Sequence, residues 1–455
     1  MQIISNANEN VLAILGKPRK AKDHYRMIRY CTELQTEEGI LLYNLLTKEL
    51  ILLTEEEYRH RTGLPYLQTH WFVIPEELKE QEFADLVLWV LQTRKKKPRE
   101  ITSYTILTTT DCNARCFYCY ELGRSRIPMS EETARKTVRY IKAHRGEKPV
   151  KLTWFGGEPL FNLPAIDTIS QGLTEENIPF TSMMVSNGYL FTDEIVQKAV
   201  SRWNLKRIQI TLDGTEAVYN RAKAFIYRDG NSPYRIVLDN IERLLNASVQ
   251  VVIRLNMDLH NAEDLLALVD ELAQRFGGRK GLRVYAHHLF QGNEQMADSR
   301  TAEEWEVRDA AMCRLNDKIR ACGLAARQGI EKQYRLNHCM ADSGKSVTIL
   351  PTGDIGLCEH YSESEFAGHL DRDTLDPAML ASWKQTTPQI PECAECFYYP
   401  ACIKLKKCPT GGVCFLQARQ DQLRKTKMQM EEEYRLWKSS AQDADTETDS
   451  DEDFC

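Results

Sequence analysis

The sequence predicts an α/β chain, and three observations predict it. From residue 101 onward six short apolar runs alternate with amphipathic stretches, the pattern of parallel strands joined by helices. Ahead of them lies a separate block of strand, turn, strand and helix. Behind them the alternation stops and cysteine, glycine and proline take over. At roughly 100–200 residues per domain, 455 residues allow two to four domains, and a 42% hydrophobic fraction can bury a sizeable core. The net charge of −6 gives no electrostatic reason to bind nucleic acid or an anionic membrane. No apolar run approaches the roughly 18 residues that span a bilayer. The start, MQIISNANENVLAILGKPRK, lacks a positive segment before an apolar one and a small-residue cleavage site. The expectation is a cytoplasmic protein.

Each element follows from its own pattern. In block 1–93, GILLYNLLTKELILLT (39–54) reads as two apolar strands around a polar turn, and EEEYRH starts a helix. Residues 76–92 carry Phe83, Leu86, Val87, Val90 and Leu91 at helical spacing. RKKKPRE (94–100) is a charged, proline-bearing boundary. The strand candidates that follow are 104–108, 150–155, 181–185, 207–212, 251–256 and 282–287. Helices are expected over 130–144, 164–173, 192–203, 234–245 and 262–276, the first capped by Ser130 with Thr133 at the third position. Together these predict a partial (β/α)6 TIM-like barrel over 101–310, with its chemistry at the C-terminal ends of the strands. Region 320–438 has few long periodic runs before a charged helix at 417–438, so bound metal would staple it. The final segment, 439–455, carries seven acidic residues in AQDADTETDSDEDFC and is expected to be disordered.

Fourteen cysteines stand out. Clustered in a long cytosolic chain, they argue for metal or redox chemistry rather than disulfides. Cys112, Cys116 and Cys119 form C-x3-C-x2-C directly after the first barrel strand; seven more fall between Cys339 and Cys414, while Cys31, Cys313, Cys322 and Cys455 are scattered. Three thiolates on one tight loop can hold three corners of an iron–sulfur cube. The open fourth iron is then a place to bind and reduce a small chelating molecule. A zinc loop, or a cube with a remote fourth ligand, satisfies the spacing as well.

CNARCFYC at a first strand end, with Tyr118 between the last two cysteines, resembles the defining motif of the radical S-adenosylmethionine (radical SAM) superfamily. The resemblance implies that the methionine amino and carboxylate groups chelate the unique iron of a [4Fe-4S] cluster. One electron then breaks a carbon–sulfur bond, and the 5'-deoxyadenosyl radical takes a hydrogen atom from substrate. Gly156, Gly157, Glu158 and Pro159 in TWFGGEPL resemble the family's GGEP motif, which holds the methionine amino group. Ser186, Asn187 and Gly188 match its SNG segment. In QITLDGTEAVYNRAK, Thr211 stands for the family's serine and Asp213 and Gly214 are kept, while Tyr219, Asn220 and Lys223 replace His, Asp and Arg. Lys223 keeps the charge that would meet the cofactor carboxylate but loses the planar fork. Asn256 fits a later polar strand position.

The second cysteine set reads C-x13-G-x4-C from Cys339 through Gly353 to Cys358, then Cys393-x2-Cys396-x5-Cys402-x5-Cys408-x5-Cys414. It resembles the SPASM extension of the same family, whose seven cysteines bind two auxiliary [4Fe-4S] clusters. It departs in having five residues, rather than three, between Cys402 and Cys408. The resemblance implies an outer cluster on Cys393, Cys396, Cys402 and Cys414. The inner one falls to Cys339, Cys358 and Cys408, with Cys322 or nothing as fourth ligand. Zinc in a ribbon-like domain is the competing reading of the same thiolates. Glu359, beside Cys358, matches the place of a proton acceptor in sulfatase-maturating relatives. His287 and His288 close the last strand, where one of two neighbours must face away.

SPASM proteins mostly act on peptides. Block 1–93 looks like the winged-helix-like domains that hold leader peptides at a strand edge in ribosomally made natural-product pathways. A packing extension over the barrel would show the same pattern. The expected function is a peptide maturase that closes a thioether (sulfur-to-carbon) or carbon–carbon crosslink in a precursor peptide with a leader, supplied with electrons by a flavodoxin- or ferredoxin-type donor. Two alternatives are a formylglycine-forming enzyme of the anaerobic sulfatase-maturating type and a non-catalytic electron carrier or zinc scaffold.

Overall fold

The computed structural model describes the chain except residues 19, 22–23, 95–99, 122, 228–229, 290–301, 327–328, 338, 362–363, 373, 387–392, 394, 403–404, 409–415 and 449–455. The expected linker and Cys414 therefore lie largely or wholly outside the described residues.

The N-terminal block comprises β1 (Gln2–Ser5), α1 (Glu9–Leu15), β2 (Tyr25–Met27), β3 (Cys31–Thr36), β4 (Gly39–Asn44), β5 (Glu49–Leu53), α2 (Glu55–Arg59), α3 (Pro65–Thr69), β6 (Val73–Pro75) and α4 (Glu80–Arg94). The two strands expected over 39–54 are β4 and β5, inside an antiparallel sheet ordered β1-β5-β4-β3. Their apolar runs are continuous because both faces are covered. Leu41 and Tyr43 point to one apolar cluster, Ile40 and Leu42 to another. The helix expected from 76 begins at Glu80, since the preceding residues turn back through a Leu78 N–H to Pro75 carbonyl bond of 3.0 Å.

The barrel elements are β7 (Ser103–Thr109), α5 (Glu131–His144), β8 (Val150–Gly156), α6 (Leu163–Glu175), β9 (Phe180–Ser186), α7 (Asp193–Ser201), β10 (Leu205–Leu212), α8 (Glu216–Lys223), α9 (Pro233–Asn246), β11 (Gln250–Met257), α10 (Ala262–Phe276) and β12 (Leu282–His288). All six expected strands and all five expected helices are present within a few residues. Ser130 caps α5 by accepting from Thr133 N–H. The six strands pair in parallel and in chain order from β7 to β12. Their outward residues are sealed by helices: Ile208, Ile210, Val251 and Ile253 are fully buried. Their inward neighbours Gln209, Thr211, Val252 and Arg254 are only half-buried. The lumen is thus a cavity rather than a packed centre.

After β12 the structure departs from expectation. Helix α11 (Ala302–Ala321) crosses the boundary placed near 310–320. Strand β13 (Ser346–Ile349) pairs parallel with β7, and β14 (Asp354–Gly356) and β15 (Gly368–His369) continue antiparallel, extending the barrel sheet to nine strands. The region expected to stand apart is joined to the barrel sheet. Helix α12 (Pro377–Ser382) follows. The last helix, α13 (Leu416–Thr448), runs ten residues into the segment expected to be disordered. No glycine or proline stops it there. Met430 and Tyr434 of α13 cover the Leu41 and Tyr43 face of the N-terminal sheet. Among the described residues no helix is long and apolar enough to cross a membrane.

Candidate functional site

The cysteine loop leaves β7 after Thr109 and is pinned at its base. Thr110 N–H donates to Ile127 carbonyl (3.1 Å) and Met129 N–H to Thr108 carbonyl (2.9 Å). Its crown is tied to the end of α8: Arg115 N–H donates to Lys223 carbonyl (2.8 Å) and Ile226 N–H to Asn113 carbonyl (2.9 Å). The turn out of α8 bends through Ala224 at φ 43°, a left-handed position that non-glycine residues seldom take. This short helix, which the sequence reading missed, is therefore what holds the loop.

Cys112, Cys116 and Cys119 are half-buried and close enough for their charges to oppose one another. Burial pushes the Cys112 thiol up to about 12, and lifts Cys116 and Cys119 as well. Naked thiolates are thus disfavoured here, and bound cationic iron would offset that cost. Among the described residues no three His, Cys, Asp or Glu side chains gather where a single ion could sit. Zinc needs its thiolates about 2.3 Å from one centre, whereas a cube accepts sulfurs spread around its corners. Two buried polar atoms nearby, Asn113 Nδ2 and Asn256 Oδ1, have no hydrogen-bond partner. A donor and an acceptor waiting beside three thiols suit a cluster carrying an amino-acid chelator.

The glycine motif does something the sequence did not reveal. A Cβ at Gly156, whose φ is +122°, would lie 2.1 Å from Thr109 carbonyl oxygen; one at Gly157 would lie 2.3 Å from that of Asp111. The glycines let the end of β8 press on the root of the cysteine loop, where Gly157 and Glu158 N–H donate to Thr109 and Asp111. Glu158 is fully buried, and its carboxylate accepts from Ser186 Oγ (2.9 and 3.0 Å), Asn187 N–H (2.8 Å) and Leu160 N–H (3.2 Å). It locks the SNG segment in place. Asn187 in turn donates to Asn113 Oδ1 (2.7 Å). Burial raises the Glu158 carboxyl to about 7 despite these donors.

On the other flank, Asp213, Tyr118 and Lys223 close a buried triangle. The Tyr118 hydroxyl donates to Asp213 Oδ2 (2.6 Å), Lys223 Nζ donates to Tyr118 (2.8 Å), and Lys223 pairs with Asp213 at 3.1 Å. Asn256 Nδ2 reaches Asp213 Oδ1 at 3.1 Å. Burial alone would lower the lysine, but the charges of Asp213 and Tyr118 hold it well above its usual range. Lys223 is committed to Asp213 first. Thr211 stands one step below on β10, half-buried and facing the lumen.

The second cysteine set falls into two groups. Cys339, Cys358 and Cys408 share mutual charge interactions, and Glu359 lies beside them. These are the three thiols that the resemblance assigns to an inner cluster. Cys393, Cys396 and Cys402 follow one another on tight turns, with Phe397 and Tyr398 packed on the N-terminal block's apolar cluster. Cys322 does not join the inner trio. It sits just past α11 against the barrel's apolar core, with Lys318 as its charged neighbour. The strand alternation divides the two histidines: His287 Nδ1 is 3.2 Å from Arg254 Nη2 of the lumen, while His288 faces Asp309 of α11 at 3.8 Å.

The two cysteine sites touch. The ring of Tyr120, next to Cys119, lies 4.9 Å from that of His360, next to Glu359, and Arg124 caps Tyr120 and donates to His360 carbonyl (3.4 Å). Sequence reading passed over Tyr120, Arg124 and His360. The adjacency of Tyr120 to Cys119 and of His360 to Glu359 was the available signal.

Residues 106–272 match the radical SAM superfamily. The chain is similar to GTP 3',8-cyclase of Clostridium perfringens (strain 13 / Type A), 27% identical over 281 residues, covering 59% of this chain and 83% of that protein. It is similar to the sporulation killing factor maturation protein SkfB of Bacillus subtilis, 25% identical over 174 residues, covering 38% and 39%. In fold it resembles native anSMEcpe with bound AdoMet, at a TM-score of 0.56 and 11% identity over 74% of this chain and 99% of that one. It also resembles SuiB of Streptococcus suis bound to S-adenosylmethionine, at 0.51 and 12% over 85% and 98%.

Proposed function

We propose that this chain, an enzyme carrying a radical SAM domain, is a peptide maturase that closes a thioether or carbon–carbon crosslink. The observation that carries the reading is the contact between the two thiol groups through Tyr120 and His360. Hydrogen abstraction needs only the first group; a second one at its side suits a reaction that must also dispose of an electron. Cys112, Cys116 and Cys119 would hold the SAM-binding cluster, Cys339, Cys358 and Cys408 the inner auxiliary cluster, and Cys393, Cys396, Cys402 and Cys414 the outer. When bound, these groups supply hydrogen-atom abstraction at the first site and storage of the electron that the product gives up. Gly156 to Pro159, Ser186, Asn187, Thr211, Asp213, Lys223, Asn256 and Tyr118 would frame the cofactor, with Glu158 setting the loop and Lys223 fixing Asp213. Glu359 takes the proton released as the new bond forms. The peptide thus loses two hydrogens, one as an atom and one as a proton with its electron left behind. Block 1–93, with β3 at a sheet edge, would hold the leader.

Anaerobic, reconstituted protein with dithionite and S-adenosylmethionine should release 5'-deoxyadenosine, and Cys116→Ala should cut that release at least a hundredfold. Co-expression with a short peptide encoded beside the gene should yield a product two hydrogens lighter. An unchanged peptide mass with continued cofactor turnover would exclude crosslinking. The likeness to GTP 3',8-cyclases favours a second reading, cyclisation of a nucleotide. Incubation with GTP decides it, since a cyclase consumes GTP without any peptide.

A further inference from the structure

Below the cofactor site the lumen opens into a cavity of about 1060 Å³, walled by the inward faces of β10 to β12 on one side and by α11 and α13 on the other. Arg207 of β10 and Arg283 of β12 line it. Arg254 of β11 stands at its inner end, beside Thr211 and Tyr285 in register and one rung above Arg283, which pairs with Val252. Two residues along a strand separate rungs by about 6.6 Å. Among the described residues Arg207 meets the neutral Gln250 (3.3 Å) and no acid. Arg254 meets His287 and Tyr285, and its Nε is buried without a partner. No hydrogen bond or ion pair of Arg283 is found among the described residues. The acids that line the same cavity lie on the opposite wall and have partners there: Asp317 pairs with Arg320 on α11, and Glu431 and Glu432 pair with Arg435 on α13. Arg254 also lies where its charge reaches His360, beside Glu359.

Three guanidiniums on one lumen wall, none bonded to a carboxylate among the described residues, lead from the outer opening to the place where the two cysteine sites meet. Arg254 is half-buried, so its charge calls for a counter-charge, and its fork matches an oxyanion held in two places; Arg207 and Arg283 are exposed and attract anions at longer range. We infer that this wall selects an acidic substrate segment: a side-chain carboxylate near the reacting residue docks on Arg254, and Arg283 and Arg207 draw the chain inward. The inference rests on the peptide reading above. The guanidiniums are spread over successive rungs rather than gathered at one point, which suits separated carboxylates on an extended chain better than a single polyphosphate.

The test uses the full-length reconstituted protein with S-adenosylmethionine and calorimetric titration. The probe is an N-acetylated, C-amidated heptapeptide of sequence GSECESG, with GSQCQSG as its neutral twin. The acidic peptide should bind about tenfold tighter, the worth of one charge-assisted hydrogen bond, and should weaken as salt rises. Arg254→Gln and, separately, the cavity-lining Arg283→Gln should bring the two peptides to within about twofold of each other, with melting curves confirming that each variant is folded. Equal affinities in the unaltered protein, no binding of either peptide, or a preference that survives in both variants would overturn the inference. A neutral twin with a free C-terminal acid that binds as tightly as the acidic peptide would overturn the side-chain assignment. GTP binding that is lost in the same variants would overturn it in favour of phosphate. If a natural precursor is crosslinked while the two probes bind alike, the maturase reading stands and this inference alone fails.

Discussion

Lys223 shows what a single residue does here. Its ammonium is nearly inaccessible and bridges Asp213 and Tyr118. Lys223→Met leaves Asp213 buried and unpaired, so it should cost about 3–5 kcal/mol, read as a lowered melting temperature. Adding Asp213→Asn should recover much of that loss, which a general packing defect would not allow. Glu158 predicts a pH dependence. Its folded carboxyl titrates at about 7, against an ordinary 4.5, because burial disfavours the charge. The fold therefore holds the proton more tightly than the unfolded chain. The stability this gives is full below about 4.5 and is lost as pH rises through about 7, a change of about 3 kcal/mol. Denaturant melts of the cofactor-free protein should show that decline, and Glu158→Gln should flatten it. That these two residues matter was legible from their motifs. That Glu158 turns inward onto Ser186 and Asn187, and that Lys223 serves Asp213, was not, because both roles depend on chain ends that lie tens of residues apart.

At the scale of elements, legibility followed length. The six barrel strands run seven or eight residues, and most carry several alternations of outward apolar and inward residue, enough to announce themselves. Strands β13 to β15 span four residues or fewer, and the eight residues of α8 make little more than two helical turns, too short for a period to emerge. Helix α11 is long but shows no single apolar face, since β12, α10 and α13 contact it on different sides. The charged helix expected near the C-terminus is α13, and its apolar stripe of Met430, Tyr434 and Trp437 covers the N-terminal sheet. Met430→Asp would bury a carboxylate with no partner on that face. It should cost at least about 3 kcal/mol. Exposure of the Leu41 and Tyr43 face should then appear as increased binding of a hydrophobic dye, with no such change for a substitution at the exposed Leu436.

For the whole molecule the prediction concerns iron. The three four-iron clusters proposed above would give about 12 iron atoms per chain. Cys402→Ala, in the outer group, should lower that by about four while the first site still cleaves S-adenosylmethionine, as iron assay and 5'-deoxyadenosine release would measure. Retention of all the iron would remove Cys402 from the ligand set. The arrangement also ties the two terminal regions to each other. The first sheet is covered by the last helix, and the Cys393 to Cys402 turns pack against the first block.

The sequence by itself determined the α/β barrel, its order of strands and the motif residues that meet at one end of it, because alternation and cysteine spacing are local properties of the chain. Tertiary structure alone decided that the region after residue 340 extends the barrel sheet, that Cys322 stays away while Cys408 joins Cys339 and Cys358, and that one wall of the lumen carries a row of guanidiniums with no carboxylate partner among the described residues. The physical reason is the same in each case. Thiols, charges and short strands acquire their meaning from neighbours brought together by folding, and no periodicity along the chain records who those neighbours are.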